Sequence, residues 1–194
     1  PGSGKGSKYA AQLDEAGALK NVTKAPKLAL LKSYVDDFLD EFEGNKIVIF
    51  TSYVKMVDLI QKALPYESTI YTGQMNAKDK EASKKHFQTD PACRIFISSD
   101  AGGYGVDLPN ANLLINYDIP WNAGLAIQRN GRIRRASSTW RSIVIQDFLV
   151  KGSIEERQHA MLLQKTSVAD AVLDGNGIDE SGEIKLSVGS LRAF

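Results

Sequence analysis

The strongest constraint on the fold is the alternation of strand-like and helix-like segments along most of the chain. Runs rich in β-branched and aromatic residues indicate strands, and apolar residues spaced by three or four positions indicate helices between them. The strands are predicted at residues 47–50, 67–71, 94–98, 111–116 and 142–149. This alternation, with short connections, predicts a three-layer α/β fold with a mostly parallel sheet that binds ligands at the carboxyl ends of its strands.

The predicted helices are amphipathic or carry recognisable end signals. An apolar stripe from Leu28 to Phe42 ends near Gly44, and the charged residues within it form the solvated face. Asn76, with Asp79 three positions later, has the spacing of a helix N-cap. The remaining helices are predicted at about 54–64, 121–131 and 153–172.

Composition narrows the class of protein. The net charge of +1 is nearly neutral, so attraction to nucleic acid would require local clusters of Lys and Arg. The single cysteine, Cys93, excludes an internal disulfide, and the sequence shows no signal-peptide pattern and no apolar run of about 18 residues. We therefore expect a soluble intracellular protein, cytoplasmic or nuclear, with no membrane partner. Because neither His86 nor His159 has a second ligand at metal spacing, no metal site is expected.

The two ends of the chain are expected to lie outside the domain. Residues 1–23 are predicted to be a linker or lead-in, 24–173 the folded domain, and 174–194 an extension with a strand candidate at 183–188. The glycine-rich stretch at 2–7 lacks the order and preceding strand of a phosphate-binding loop. The acidic residues at 14–17 lack the apolar strand that would orient them toward magnesium.

A basic segment, Gln128 to Arg135, is the most informative stretch for chemistry. If the helix continued through it, Gln128, Arg132 and Arg135 would share one face. Arg129 and Arg134 would point elsewhere and should tolerate alanine far better than Arg132 and Arg135. Two guanidinium groups with one orientation suit a phosphoryl-transfer site, where they stabilise charge on the γ-phosphate. The alternative is a solvated basic helix end.

A glycine-rich segment, Ser98 to Leu108, follows the third predicted strand. Its glycines would let backbone N–H groups approach a phosphate, and Asp107 could accept a ribose hydroxyl. The alternative is a plain tight turn. The segment lacks the spacing of a dinucleotide-binding fingerprint.

Together these segments resemble superfamily-2 helicases and translocases. The stretch 49–53 resembles their motif IV, 98–108 motif V and 128–135 motif VI. Residues 71–73, 117–122 and 152–156 resemble the Swi/Snf type, and the similarity extends over roughly residues 27–163. Ala123 stands where this type usually has Pro, and residues 136–138 replace its usual Ile-Gly-Gln, so the subfamily stays open.

The resemblance implies a role for each of these segments. Arg132 and Arg135 would be arginine fingers, with Gln128 as a third catalytic residue and Gly105 and Asp107 on the nucleotide side. Five residues would contact the phosphates of nucleic acid, which positions the protein without reading the base sequence: Thr51, Ser52, Thr72, Gly73 and Ser99. Trp121 would stack on or wedge against nucleic acid; a partly buried packing aromatic is its alternative role.

The implied protein is the C-terminal RecA-like lobe of an ATP-dependent translocase, with double-stranded DNA as the expected substrate. ATP and Mg²⁺ would be bound mainly by an N-terminal lobe, so this chain alone is expected to be inactive. Two alternatives remain. One is a non-catalytic module on the same fold that binds nucleic acid or protein, and the other is a small-molecule enzyme that binds a cofactor through Gly102 to Gly105.

Overall fold

The computed structural model describes residues 26–102 and 105–173, and side-chain surroundings up to residue 164. Helices and strands alternate in these residues as predicted. The helices are α1 (Pro26–Glu41), α2 (Val54–Ala63), α3 (Ala77–Thr89), α4 (Ala123–Asn130) and α5 (Ile154–Leu173). The strands are β1 (Ile47–Thr51), β2 (Ser68–Tyr71), β3 (Ile95–Ser99), β4 (Leu113–Asn116) and β5 (Val144–Asp147). Every predicted strand and helix in the described part of the chain is confirmed, with ends shifted by a few residues.

The five described strands form one parallel sheet in the order β2-β3-β1-β4-β5. The central strand β1 pairs with β3 and β4, so that Ile47 lies opposite both Ile95 and Leu113. Because all pairings are parallel, every strand ends at the same side of the sheet, which we call the carboxyl edge. The opposite side is the amino edge.

Alternate residues of the central strands enter two separate apolar cores. Ile47 and Ile49 pack with α1 and α2 on one face, whereas Val48 and Phe50 pack with Phe87 of α3 on the other. Both β1 and β3 are buried along their whole length. Burial on both faces explains the continuous apolar runs of these strands, and it confirms the predicted three-layer arrangement.

Asparagine side chains cap two helices at the carboxyl edge. Asn76 accepts a hydrogen bond from the Asp79 N–H at the start of α3, as the sequence predicts. Asn122 accepts one from the Leu125 N–H at the start of α4, which therefore begins two residues after the predicted Trp121. Each cap satisfies a backbone donor that would otherwise lack a partner.

The predicted linker at 1–23, the extension at 174–194 and the strand candidate at 183–188 all lie outside the described residues. None of the described helices is both long and apolar enough to cross a lipid bilayer.

Candidate functional site

The carboxyl edge gathers most of the residues that the sequence singles out. Thr51 and Ser99 are the last residues of the neighbouring strands β1 and β3. Thr72 and Gly73 follow β2 directly, and Trp121 lies in the connection from β4 to α4. The predicted nucleic-acid contacts, which are spread over 71 positions of sequence, are thus neighbours on one edge of the sheet.

Gly102 brings the loop after β3 against the loop after β2. It is buried, and its N–H donates to the Ser99 carbonyl at 3.0 Å. A Cβ atom built on it would meet the Tyr71 backbone and lie only 2.7 Å from Thr72 Cα. The glycine is therefore required for close approach of two backbones rather than for an unusual φ angle.

Gly102→Ala is expected to destabilise the domain by about 1 to 3 kcal/mol, since neither backbone can move away without disturbing a strand end. The measurement is the free energy of unfolding in urea. Gly124→Ala in α4 is the matched control, because its Cβ would meet only the Asn122 side chain at 3.4 Å. Alanine favours a helix, so the control should be neutral or stabilising. Equal effects at both positions would contradict the close-approach account.

Arg129 is the centre of a buried polar cluster at the carboxyl edge. Only 2% of its surface is exposed. Its Nε and Nη2 donate to the two carboxylate oxygens of Asp100 at 2.6 and 2.9 Å, a bidentate pair. Its Nη1 donates to the Asp118 carbonyl at 2.8 Å and to Asn116 Oδ1 at 3.2 Å. Arg129 points away from the exposed Arg135, as expected, but into the protein rather than into solvent. Its burial argues against the expected tolerance to alanine.

Asp118 extends this cluster to the end of β1. Its carboxylate accepts the Thr51 hydroxyl at 2.5 Å and the Ser52 N–H at 2.8 Å. Ser52 Oγ donates to Asp100 at 2.9 Å and accepts from Arg129 Nη2 at 3.1 Å. The cluster therefore joins the segments that follow β1, β3 and β4 to helix α4.

Burial and internal hydrogen bonds change the predicted role of three hydroxyl groups. Thr51 and Ser99 are essentially inaccessible, with 0% and 1% of their surfaces exposed, and Ser52 directs its hydroxyl inward. Direct phosphate contacts by the hydroxyls of Thr51 and Ser99 are therefore not supported. Thr72 is also buried, whereas Gly73 is exposed. The likeness to motif IV identified the right strand end, but tertiary hydrogen bonds turn its hydroxyls into internal braces.

Helix α4 ends before the two predicted finger arginines. The Gly131 N–H still bonds to the Ile127 carbonyl, but the Arg132 N–H bonds to the Arg129 carbonyl in a tighter turn. The Arg132 carbonyl then accepts the Leu108 N–H at 2.9 Å. The helix ends one residue before the predicted end at Gly131. The prediction that Gln128, Arg132 and Arg135 share one helical face is wrong, because Arg132 and Arg135 lie beyond the helix.

The glycine-rich and basic segments meet in what we call the V–VI junction, residues 105–108 with 132–135. Besides the backbone bond from Leu108 to Arg132, Ile133 is fully buried among apolar residues that include Val106 and Leu108. Arg135 Nη2 forms an ion pair with Asp107 Oδ1 at 2.5 Å. The junction thus holds the two segments together by packing and by charge.

The polar side chains of the junction remain accessible to a ligand. The Arg135 side chain is 38% exposed and that of Asp107 54% exposed, while Arg132 is half-buried. Gly105 is exposed and has a φ of +77°, which glycine adopts without strain. Gln128 is exposed on α4. Gly103 and Tyr104 lie outside the described residues.

Trp121 is 66% exposed, so its alternative role as a partly buried packing aromatic is not supported. It borders a shallow apolar pocket with side chains of α5: Ile154, Gln158, Met161 and Leu162. Gln158 donates to the carbonyls of Ile119 and Pro120 and fixes the chain that leads to the tryptophan. In the same connection, burial raises the pKa of Tyr117 to about 12, with the charge of Asp118 contributing, so this phenol stays neutral.

Comparison with known proteins shows the family. The model of the helicase conserved C-terminal domain matches residues 27–137, which contain the ends of β1 and β3 and the V–VI junction. The chain belongs to this family. As a helicase C-terminal domain of the Swi/Snf type, it is 32% identical over 169 residues to a chromatin-remodeling ATPase INO80 of Gibberella zeae; the match covers 83% of this chain and 9% of that protein.

Solved structures agree on the fold. The C-terminal part of the Fun30 ATPase domain has a TM-score of 0.64 and 25% identity, over 86% of this chain and 47% of that one. The Sulfolobus solfataricus SWI2/SNF2 ATPase core in complex with dsDNA has a TM-score of 0.60 and 27% identity, over 84% and 36% of the two chains. The fold is therefore RecA-like, as predicted. This chain spans less than half of both structures and about a tenth of the INO80 relatives.

Proposed function

We propose that this domain is the C-terminal motor lobe of an ATP-dependent DNA translocase and that it supplies arginine fingers to ATP held by an N-terminal RecA-like lobe. The observation that carries the proposal is the V–VI junction, where Arg135 pairs with Asp107 at the protein surface and the backbone of Arg132 is bonded to Leu108. Cationic planar donors placed there can stabilise charge that develops on a transferring phosphoryl group.

Each junction residue has a proposed task. Arg132 and Arg135 contact the γ-phosphate, and Gln128 lies nearby on the exposed face of α4. Asp107 accepts a ribose hydroxyl, and its ion pair holds Arg135 at the surface until nucleotide arrives. Arg129, by contrast, is a positioning residue, since its guanidinium group is buried and fully engaged within the lobe.

We assign Mg²⁺ to the N-terminal lobe. Within the described residues, the only group of three or more His, Cys, Asp or Glu side chains with converging ligand atoms lies at the amino edge. At the carboxyl edge, Asp100 and Asp118 are both bonded to Arg129. The residues present there do not suit a divalent cation, so the isolated chain should not hydrolyse ATP.

For nucleic acid, we propose contacts through the exposed Gly73 loop and Trp121, with double-stranded DNA as the substrate. One similar solved structure is that of an ATPase core in complex with dsDNA. Thr51, Ser52, Thr72 and Ser99 brace the strand ends behind this surface, so that the exposed loop and Trp121 are the parts that meet the duplex. Such contacts position the duplex without reading its sequence.

Trp121→Ala should weaken binding of a labelled duplex roughly tenfold, since an exposed aromatic that stacks or wedges contributes about 1 to 3 kcal/mol. Phe42→Ala is the matched control, because Phe42 is similarly exposed (57%) but lies just after α1, near the amino edge. Titrations at several salt concentrations should also show affinity that falls with salt and ignores sequence. Equal affinity of the two variants would remove Trp121 from the interface, and tight, salt-independent binding to one sequence would contradict phosphate contacts.

A further inference from the structure

Three potential metal ligands converge at the amino edge, on the opposite side of the sheet from the V–VI junction. Glu67 immediately precedes β2, His86 lies in the last turn of α3, and Asp90 follows that helix. His86 Nε2 lies 3.0 Å from Glu67 Oε1 and 3.4 Å from Asp90 Oδ2. All three ligand atoms lie within 4.8 Å of one another.

The two separations from His86 Nε2, 3.0 and 3.4 Å, are close to the edges of a metal coordination shell. Zinc bound by nitrogen and oxygen has bonds of about 2.0 to 2.2 Å, so neighbouring ligand atoms of a tetrahedral site lie about 3.3 to 3.6 Å apart. One imidazole with two carboxylates suits a borderline cation such as Zn²⁺ or Co²⁺ better than Mg²⁺ or Ca²⁺, which prefer all-oxygen shells. The three side chains are 40 to 49% exposed, which leaves water access to a fourth position.

The ligand-bearing backbone is held in place independently of any ion. The second oxygen of the Asp90 carboxylate, Oδ1, accepts the Ala92 N–H at 2.8 Å, so Oδ2 is directed toward His86. Lys46 Nζ donates to the carbonyls of Phe87 and Asp90 at 2.5 and 2.8 Å. The lysine thus fixes the end of α3 through backbone atoms. Outer contacts of this kind orient metal ligands.

We propose that Glu67, His86 and Asp90 form a surface site for a zinc-class divalent cation that ties the edge strand β2 to helix α3. The sequence expectation of no metal site rested on the absence of a second ligand at metal spacing from either histidine, and it missed the carboxylates around His86. Asp90 lies one helical turn after His86, and Glu67 reaches the same point through the packing of β2 against α3. Because the site lies at the amino edge, away from the V–VI junction, we assign it a structural rather than a catalytic role.

The test uses the whole 194-residue chain, chelator-treated and then titrated with ZnCl₂ by calorimetry and with CoCl₂ by visible absorption. One ion per chain should bind, and Co²⁺ should give the intense d–d bands of a tetrahedral site. Zn²⁺ at about a hundredfold excess over Kd should raise Tm by roughly 5 to 10 °C. His86→Ala and Glu67→Gln should each remove the bands and the Tm shift.

His159→Ala is the matched control, since His159 also contacts a carboxylate, Asp147 at 3.1 Å, but is not part of any described group of three ligands. It should retain binding and the bands. The proposal is overturned if the unaltered chain binds no ion, if His159→Ala loses binding as His86→Ala does, or if both His86→Ala and Glu67→Gln leave it unchanged. None of these results bears on the ATPase proposal.

Discussion

Arg129→Ala is expected to lower the free energy of unfolding by about 3 to 5 kcal/mol, the usual cost of removing one partner from a buried charge cluster. The arginine has 2% of its surface exposed and forms ion pairs with two carboxylates, Asp100 and Asp118. Without it, both acids would face each other next to a polar cavity. Unfolding of the isolated domain in guanidinium chloride measures this loss of stability.

Two comparison variants sharpen this prediction. Arg129→Lys keeps the charge but loses the bidentate contact to Asp100, so it should recover only part of the stability. Arg141→Ala removes an exposed arginine and should change stability by less than about 0.5 kcal/mol. A loss below about 1 kcal/mol for Arg129→Ala would show that the cluster is not a stabilising joint.

Arg129 also shows what local sequence patterns cannot reveal. Its position in α4 is evident from helical spacing, but its partners come from the ends of β3 and β4, 29 and 11 positions away. The charged residue is buried only because those strand ends meet. Nothing in the basic segment itself therefore distinguishes Arg129, which is at the centre of a buried cluster, from the other arginines.

Features that depend only on residues close in sequence were predicted correctly. Ile47 to Phe50 is a continuous apolar run and is buried on both faces, and the Asn76 cap depends only on a neighbour three positions away. The path of residues 132–135 beyond the helix, by contrast, depends on a residue distant in sequence. The Leu108 N–H captures the Arg132 carbonyl, and this tertiary bond accompanies the change from helix to turn.

The second large effect concerns Arg132 and Arg135 in a protein that contains both lobes. Replacing either with Ala should lower DNA-stimulated ATP turnover by roughly 10³-fold or more, because a finger stabilises charge mainly in the transition state. Lys should restore little, since an ammonium group cannot reproduce the planar, two-pronged contact. DNA affinity should change far less. The ion pair with Asp107 is exposed, so the Arg135 variants should still fold.

The burial of each neighbouring arginine decides whether it can serve as a control for the turnover measurement. Arg129 is unsuitable because its loss would reduce activity through unfolding, contrary to what helical spacing suggested. Arg134 and Arg141 are both exposed, and alanine at either should cost only a small fraction of turnover. Thermal unfolding of every variant separates lost chemistry from lost structure.

The most direct test of the proposed half-site is maximal turnover at saturating DNA and ATP for the two-lobe protein and its Arg132→Ala, Arg135→Ala, Arg134→Ala and Arg141→Ala variants, with the isolated chain as the inactive reference. We expect turnover to collapse only for Arg132→Ala and Arg135→Ala, with all variants folded and bound to DNA, and no magnesium-dependent hydrolysis by the isolated chain. Equal, mild losses at all four positions, or robust hydrolysis by the isolated chain, would contradict the assignment.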